Sequence, residues 1–142
     1  PPLDYDLVRR LKASRPDLRI ILNGGIETIA DASELATEFD GVMLGRAAYG
    51  APYLLASVDE LLFGESGDAP AREDVVNAMS DYLKREFAKG VRPHSITRHM
   101  LGLYHGAPGA RRWRRYLSEH ASAANASLLD DALADMRMRE PA

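Results

Sequence analysis

Apolar residues in the first part of the chain recur as alternating helical and strand-like segments. Asp4 can cap a helix that ends before Pro16. The run 19–22 is short, unbroken and rich in β-branched residues, which favours a strand buried on both faces of a parallel sheet. A helix capped at about Thr28 and a second strand over 41–44 follow, so the order predicts right-handed βαβ units. The apolar stripes of these two helices are Leu7, Val8 and Leu11, and Ile29, Ala32, Leu35, Ala36 and Phe39.

The second part of the chain has a different pattern. A helix beginning after Pro52 and running through 54–62 precedes the Gly- and Pro-containing segment 64–70, which is typical of a linker. Beyond the linker there is no strand pattern, and four short amphipathic helices predict a small helical bundle. Their stripes are Val75, Val76, Met79, Leu83 and Phe87; Ile96, Met100 and Leu103; Ala110, Trp113 and Leu117; and Leu128, Leu129, Ala132, Leu133 and Met136.

The chain is therefore predicted to be α/β followed by all-α. Its 142 residues include no cysteine, which excludes disulfides, thiolate zinc sites and cysteine nucleophiles within it and favours a reducing, cytoplasmic setting. No run approaches the ~18 apolar residues of a membrane helix, and the N-terminus lacks a signal-peptide pattern. Because the chain opens at Pro1-Pro2 without an initiator methionine, we expect a piece of a longer protein; a processed mature protein is the alternative.

Charge is distributed unevenly along the chain. Residues 1–71 carry 6 Lys and Arg against 12 Asp and Glu, whereas residues 72–142 carry 12 against 9. The stretch 82–117 has nine basic residues and a single acid, Glu86, which suits a polyanionic partner. A solvated surface with chance clustering is the alternative. The nine are Lys84, Arg85, Lys89, Arg92, Arg98, Arg111, Arg112, Arg114 and Arg115.

Two short motifs follow the predicted strands. Asn23-Gly24-Gly25 lies between the first predicted strand and the helix that follows it. Two consecutive glycines let the backbone turn sharply and approach a ligand closely. Their amides, with the positive end of the following helix, can hold a phosphate. Gly45-Arg46 follows the second strand, and a guanidinium pairs well with phosphate oxygens. Phosphate sites formed by the loops after two consecutive strands recur in (β/α)₈ barrels. Asn-Gly also forms hairpin turns, but the amphipathic helix that follows disfavours a hairpin here.

The third helix after the linker combines a core face with a basic face. At ~100° per residue, Trp113 lies with the apolar residues, so we expect it in the core. The four arginines at 111, 112, 114 and 115 fall on the opposite arc, and Glu119 can pair with Arg115. Arg111 and Arg114 lie on adjacent turns and can reach consecutive phosphates. Structured RNA fits better than DNA because no helix-turn-helix or zinc spacing is present, and no metal site is expected.

Three segments together resemble the tRNA-dihydrouridine synthases, specifically the A-type subfamily. They are IILNGGIETIADA, DGVMLGRAAYGAPYLL and, most specifically, ITRHMLGLYHGAPGARRWRRYLSEHA. The resemblance implies that 1–66 is the C-terminal portion of an FMN-binding TIM barrel and 67–142 a helical tRNA-binding domain. It also implies reduction of uridine to 5,6-dihydrouridine in the tRNA D-loop, around position 20, with FMN as cofactor and NADPH as reductant.

The resemblance also implies roles for individual residues. FMN phosphate would be held by Asn23, Gly24, Gly25, Gly45 and Arg46, and tRNA would be oriented by Arg111 and Arg114. The family's catalytic cysteine, which protonates the uracil ring, has no counterpart here and is expected upstream. The chain by itself is therefore expected neither to bind FMN stably nor to reduce uridine, and an incomplete barrel leaves strand edges unpaired.

Two other functions remain open. One is a different FMN-barrel oxidoreductase, similar to dihydroorotate dehydrogenases, although such an enzyme has no need of a cationic helical appendage. The other is a non-enzymatic RNA-binding module on a vestigial piece of a barrel. tRNA is the expected partner, and no membrane, DNA or obligate protein partner is expected.

Overall fold

The computed structural model describes residues 2–123 and 125–138. The chain forms two compact units: Pro1–Tyr49 with Leu54–Gly67, here the first unit, and Gly50–Tyr53 with Asp68–Ala142, here the second unit. Pro1, Ala124 and the last four residues of the predicted domain 67–142 lie outside the described residues. The assignments of 1–66 to a barrel and of 67–142 to tRNA binding stay predictions.

The first unit begins with the predicted order of helix, strand, helix and strand. The two strands pair in parallel with Leu22 opposite Val42, as the βαβ pattern predicts. The predicted caps are also present: the Asp4 carboxylate accepts a hydrogen bond from the Leu7 amide at 2.9 Å, and Thr28 Oγ1 accepts one from Asp31 at 3.0 Å. The elements are α1 (Tyr5–Ser14), β1 (Ile21–Asn23), α2 (Ile29–Leu35) and β2 (Gly41–Met43).

Burial in the first unit is one-sided. Its core contains Leu22, Ile26, Ala32, Leu35 and Phe39. The prediction of a strand buried on both faces is wrong, since Ile21 is 50% exposed. Successive side chains of a strand point to opposite faces, and among the described residues only β2 pairs with β1. Leu7, Leu11 and Ala36, placed on the helical stripes, are likewise exposed.

The single helix expected after Pro52 is instead two short elements, a 3₁₀ helix (Pro52–Ser57) and α4 (Val58–Phe63), which ends at Gly64 in the left-handed conformation. A short helix that was not predicted, α3 (Arg46–Gly50), precedes them. Proline donates no amide hydrogen bond, so α3 cannot continue through Pro52. In addition, Gly50–Tyr53 packs in the second unit while the residues on both sides of it belong to the first.

The second unit contains the four predicted helices and no strand among its described residues. Residues 64–71, which include the predicted linker, have no regular secondary structure. The helices are α5 (Arg72–Phe87), α6 (Pro93–Thr97), α7 (Ala110–Glu119) and α8 (Leu128–Arg137). They share one apolar core, made of Val76, Leu83, Ile96, Met100, Leu103, Tyr104, Trp113, Leu117, Leu128, Leu129, Ala132 and Leu133.

The second of these helices is shorter than predicted. The stripe through Leu103 predicts a continuous helix, but α6 ends at Thr97 and 98–109 forms successive turns. Several of these turns are closed by i to i+3 hydrogen bonds, such as the 2.9 Å bond from the Met100 amide to the Thr97 carbonyl. The Met100 carbonyl accepts both the Leu103 amide at 3.0 Å and the indole N–H of Trp113 at 2.7 Å, so a buried side chain from α7 is bonded to the backbone of this segment.

A polar contact joins α5 to α8. Ser80 Oγ donates to one oxygen of Asp130 at 2.6 Å, and Lys84 Nζ lies 2.8 Å from the other. Burial raises the pKa of the Asp130 carboxyl, but the hydrogen bonds from Lys84 and Ser80 outweigh burial and hold that pKa below its usual range. None of the described helices is long and apolar enough to cross a bilayer.

Candidate functional site

The two sequence motifs predicted to bind phosphate lie at one edge of the sheet. In the parallel register Asn23 is opposite Met43, so the residues that follow both strands emerge at the same end. The structure thus brings the turn Asn23–Gly25 and the turn Gly45–Arg46 to neighbouring strand ends. This is where ligands bind in α/β sheets.

The turn Asn23–Gly25, here the glycine turn, requires glycine because of its backbone conformation and because it packs against the start of the chain. Gly24 and Gly25 have φ values of 117° and 67°, which L side chains rarely adopt. A Cβ on Gly24 would lie 2.8 Å from Leu3, and one on Gly25 would lie 2.7 Å from it. The Tyr5 hydroxyl also donates to the Gly24 carbonyl. The space that side chains at Gly24 and Gly25 would need is therefore filled by Leu3.

The predicted contribution of the helix that follows this turn is smaller than expected. Residues 26–28 separate Gly25 from the first residue of α2, and the Thr28 hydroxyl already accepts the Asp31 amide. The groups available to an anion at this edge are thus the turn amides and the side chain of Arg46.

Gly45 and Arg46 present an open and cationic surface. A Cβ on Gly45 would meet nothing within 4 Å, so a ligand can approach the backbone closely there. Arg46 is the first residue of α3 and is exposed, and no carboxylate of the described residues lies within ion-pair distance of it. A guanidinium and backbone amides are both groups that bind phosphate oxygens. The residues present fit that group.

Helix α7 carries the second predicted site. Trp113 is fully buried, which confirms its place in the core. Arg111, Arg114 and Arg115 are exposed as predicted, but Arg112 is half-buried because it lies next to the buried face. The expected i, i+4 pair between Arg115 and Glu119 is present at 3.9 Å.

Ion pairing separates the basic residues of the stretch 82–117 into two groups. Lys84 pairs with Asp130 at 2.8 Å, Lys89 with Glu86 at 2.8 Å, and Arg115 with Glu119. The hydrogen bond with Asp130 raises the pKa of Lys84, so the ammonium stays charged and is balanced by the Asp130 carboxylate. The other six have no carboxylate within ion-pair distance in the part of the chain that the structure describes. They are Arg85, Arg92, Arg98, Arg111, Arg112 and Arg114.

Three of these six arginines line one groove. It has a volume of about 560 Å³ and lies where the loop before α7 meets the first turns of that helix. Gly106 and Gly109 turn this loop with φ values of 73° and 79°. The lining residues are His105, Gly106, Ala107, Gly109, Ala110, Arg111, Arg112 and Arg114.

Sequence patterns placed Arg112 on one basic face with Arg111 and Arg114, but they did not predict that the loop and His105 line the same groove. The only signal for them was the Gly-Ala-Pro-Gly segment before the helix. Elsewhere in the described residues, no group of three or more His, Asp or Glu side chains is arranged to hold a metal ion.

Comparison with known proteins gives a consistent family. The model of the family described as Dihydrouridine synthase matches residues 1–137. The chain is 50% identical over 121 residues to the tRNA-dihydrouridine(20/20a) synthase of Shewanella oneidensis, covering 85% of this chain and 36% of that protein.

Two other similar proteins carry the same name. The one from Vibrio parahaemolyticus is 46% identical over 136 residues, which are 94% of this chain and 42% of that protein. The one from Escherichia coli K12 is 47% identical over 135 residues, which are 94% of this chain and 39% of that protein. The chain thus spans about two fifths of the length of these relatives.

Proposed function

The chain belongs to the dihydrouridine synthase family, and on that basis we propose that it supplies the cofactor-phosphate and tRNA contacts of an oxidoreductase that makes 5,6-dihydrouridine in tRNA. In this proposal the first unit is the closing part of a (β/α)₈ barrel, and the second is a helical tRNA-binding domain. The complete enzyme, here the parent enzyme, is a longer protein of the relatives' size that contains these residues.

The observation that carries the proposal is the arrangement of the two turns at neighbouring ends of parallel strands. Asn23, Gly24 and Gly25 offer backbone amides, Gly45 leaves the approach open, and Arg46 supplies a positive charge. In the proposed enzyme these groups hold the phosphate of FMN and so fix where the flavin ring lies. When bound, FMN supplies the hydride chemistry, and the protein supplies placement.

The proposed reaction reduces the C5–C6 double bond of uracil in the D-loop, around position 20. Bound FMN, kept reduced by NADPH, would supply the hydride for uracil C6, and an acid of the protein would supply the proton for C5. The resemblance to the family implies that a cysteine protonates C5, and the chain contains none, so in this proposal the acid comes from another part of the parent enzyme. Because the chain also supplies only part of the barrel, we expect the 142 residues by themselves neither to bind FMN stably nor to reduce uridine.

The second unit of the proposed enzyme binds tRNA through α7 and the loop before it. Arg111 and Arg114 line one groove, are exposed and have no carboxylate partner among the described residues. Such arginines can contact successive phosphates of structured RNA. An FMN-barrel oxidoreductase with a small-molecule substrate would make no use of this groove, which favours tRNA as the substrate.

The phosphate assignment is tested by Arg46→Gln in the parent enzyme. Loss of a charge-assisted hydrogen bond costs about 1.5–3 kcal/mol, which weakens FMN binding by roughly tenfold to a hundredfold. Binding of riboflavin, which lacks the phosphate, should not change. Flavin fluorescence titrations measure both dissociation constants. Equal FMN affinity in the wild type and Arg46→Gln would remove Arg46 from the phosphate site.

The reaction is tested by dihydrouridine analysis of tRNA from a strain that lacks the parent enzyme. Re-expression of the wild type should restore dihydrouridine around position 20, and Arg46→Gln should restore less of it at limiting flavin. A purified enzyme that binds flavin but leaves tRNA unmodified in the presence of NADPH would favour the small-molecule oxidoreductase. Binding of tRNA without any flavin would favour the non-enzymatic RNA-binding module.

A further inference from the structure

The Tyr5 hydroxyl connects the start of α1 to the glycine turn, and both lie in the first unit. Tyr5 is the first residue of α1, and the Asp4 cap fixes where that helix begins. The Tyr5 ring packs against the core of the first unit, and its hydroxyl donates a hydrogen bond to the Gly24 carbonyl. A Cβ on Gly25 would lie 3.3 Å from the same hydroxyl. A side chain anchored at the core thus holds one group of the turn backbone.

The carbonyl that Tyr5 holds belongs to the same peptide group as the Gly25 amide. This peptide bond is trans. A trans peptide group is planar, and its C=O and N–H point in opposite directions. The hydrogen bond from Tyr5 therefore fixes the orientation of the whole group, and the Gly25 N–H points away from Tyr5.

The Gly25 amide is available to a ligand. It donates to no oxygen in the part of the chain that the structure describes. A peptide group between two glycines rotates easily, because neither residue has a Cβ that restricts its backbone angles. The hydrogen bond from Tyr5 restricts a rotation that Gly24 and Gly25 would otherwise permit.

We propose that Tyr5 is a positioning residue for the cofactor phosphate. By holding the Gly24 carbonyl, the Tyr5 hydroxyl aims the Gly25 N–H at a phosphate oxygen. This inference rests on the proposed function of the glycine turn, and it adds a residue that sets cofactor affinity without touching the cofactor. A donor that is already oriented loses less conformational freedom on binding, and a hydrogen bond weakens when its angle is poor.

The test is Tyr5→Phe in the parent enzyme, with fluorescence titrations of FMN and of riboflavin. Phenylalanine keeps the ring at the core and removes only the hydroxyl. We expect FMN binding to weaken about two- to tenfold, the effect of losing one hydrogen bond. Riboflavin binding should stay unchanged. Tyr82→Phe is the matched control, since Tyr82 is exposed and its hydroxyl has no hydrogen bond to the described residues.

A second variant separates the hydrogen bond from the packing around the turn. Leu3 fills the space beside Gly24 and Gly25, so Leu3→Ala removes that packing but keeps the hydrogen bond from Tyr5. It should change FMN affinity less than Tyr5→Phe does. The reverse order of effects would show that packing orients the turn, and it would overturn the role of the Tyr5 hydroxyl.

The outcomes separate this inference from the proposed phosphate site. If Arg46→Gln weakens FMN binding but Tyr5→Phe does not, the phosphate site stands and Tyr5 has no positioning role. If Tyr5→Phe weakens FMN and riboflavin binding equally, its role is only structural and the inference is wrong. If Tyr5→Phe weakens FMN binding alone while Arg46→Gln changes nothing, the phosphate binds at the glycine turn without Arg46. If neither variant changes FMN affinity, the proposed phosphate site and the inference both fail.

Discussion

At the residue scale, both backbone conformation and packing exclude a side chain at Gly24. Gly24 has a φ of 117°, and the space a Cβ would need is filled by Leu3. Leu3 therefore closes one side of the turn. The proposed phosphate contact uses backbone amides, and those depend on the turn keeping this conformation.

Gly24→Val should remove bound flavin from the purified parent enzyme. A β-branched residue at this φ costs about 1–3 kcal/mol of strain, and it would also collide with Leu3, so the turn must change shape. The visible flavin absorbance per protein measures the effect, and far-ultraviolet circular dichroism checks that the protein is folded. Gly67→Val, in an open part of the linker, should keep its flavin. A folded Gly24→Val enzyme with full flavin content would contradict the role of the turn.

Single residues are predictable from sequence where local periodicity decides their place. Trp113 is assigned to the core because it shares a helical face with Leu117, and both are buried. Leu3 and Tyr5 give no such signal. Their importance comes from contacts with Gly24 and Gly25, distant in sequence, which only the folded chain brings close.

At the element scale, helix starts are predictable and helix breaks are not. Asp4 and Thr28 cap their helices through contacts within three residues, so the signal lies in the local sequence. The interruption at Gly50–Tyr53 follows from the passage of the chain into the second unit, and the turns after α6, which ends at Thr97, are bonded at the Met100 carbonyl to the Trp113 side chain. Both depend on residues far along the chain.

The contact between α5 and α8 should make the stability of the second unit depend on pH in acid. The pKa of Asp130 is lowered in the folded state. The stabilisation that the Asp130 carboxylate adds to the free energy of unfolding is therefore fully present above the ordinary pKa of 3.8, and it is lost as the pH falls through the folded pKa. Asp130→Asn should therefore be less stable than wild type at neutral pH, and the difference should shrink below pH 3.8.

Urea unfolding at several pH values measures this difference in the free energy of unfolding. Asp68→Asn is the control, because Asp68 is exposed in the linker and has no ion pair among the described residues. A difference between wild type and Asp130→Asn that stays constant into acid would show that the carboxylate charge is not what stabilises the contact.

At the scale of the whole molecule, basic residues are concentrated in the second part of the chain, to which we assign tRNA binding. Residues 1–71 have a net charge of −6, and residues 72–142 have a net charge of +3. This asymmetry is visible in the sequence, but the pairing of individual cations is not. Lys84 and Asp130 are 46 positions apart in the numbering and meet only in the fold, so the structure is needed to tell which cations remain available for RNA.

The decisive measurement is the salt dependence of tRNA binding by the parent enzyme and its Arg111→Glu/Arg114→Glu variant. We expect affinity to fall several-fold and the slope of log affinity against log salt to flatten by about one unit for each phosphate that the variant no longer binds. Arg10→Glu/Arg19→Glu, an equal charge change at exposed arginines of the first unit, should alter both much less. Unchanged tRNA affinity and slope in the Arg111/Arg114 variant would contradict the assignment of this helix as the tRNA-binding surface.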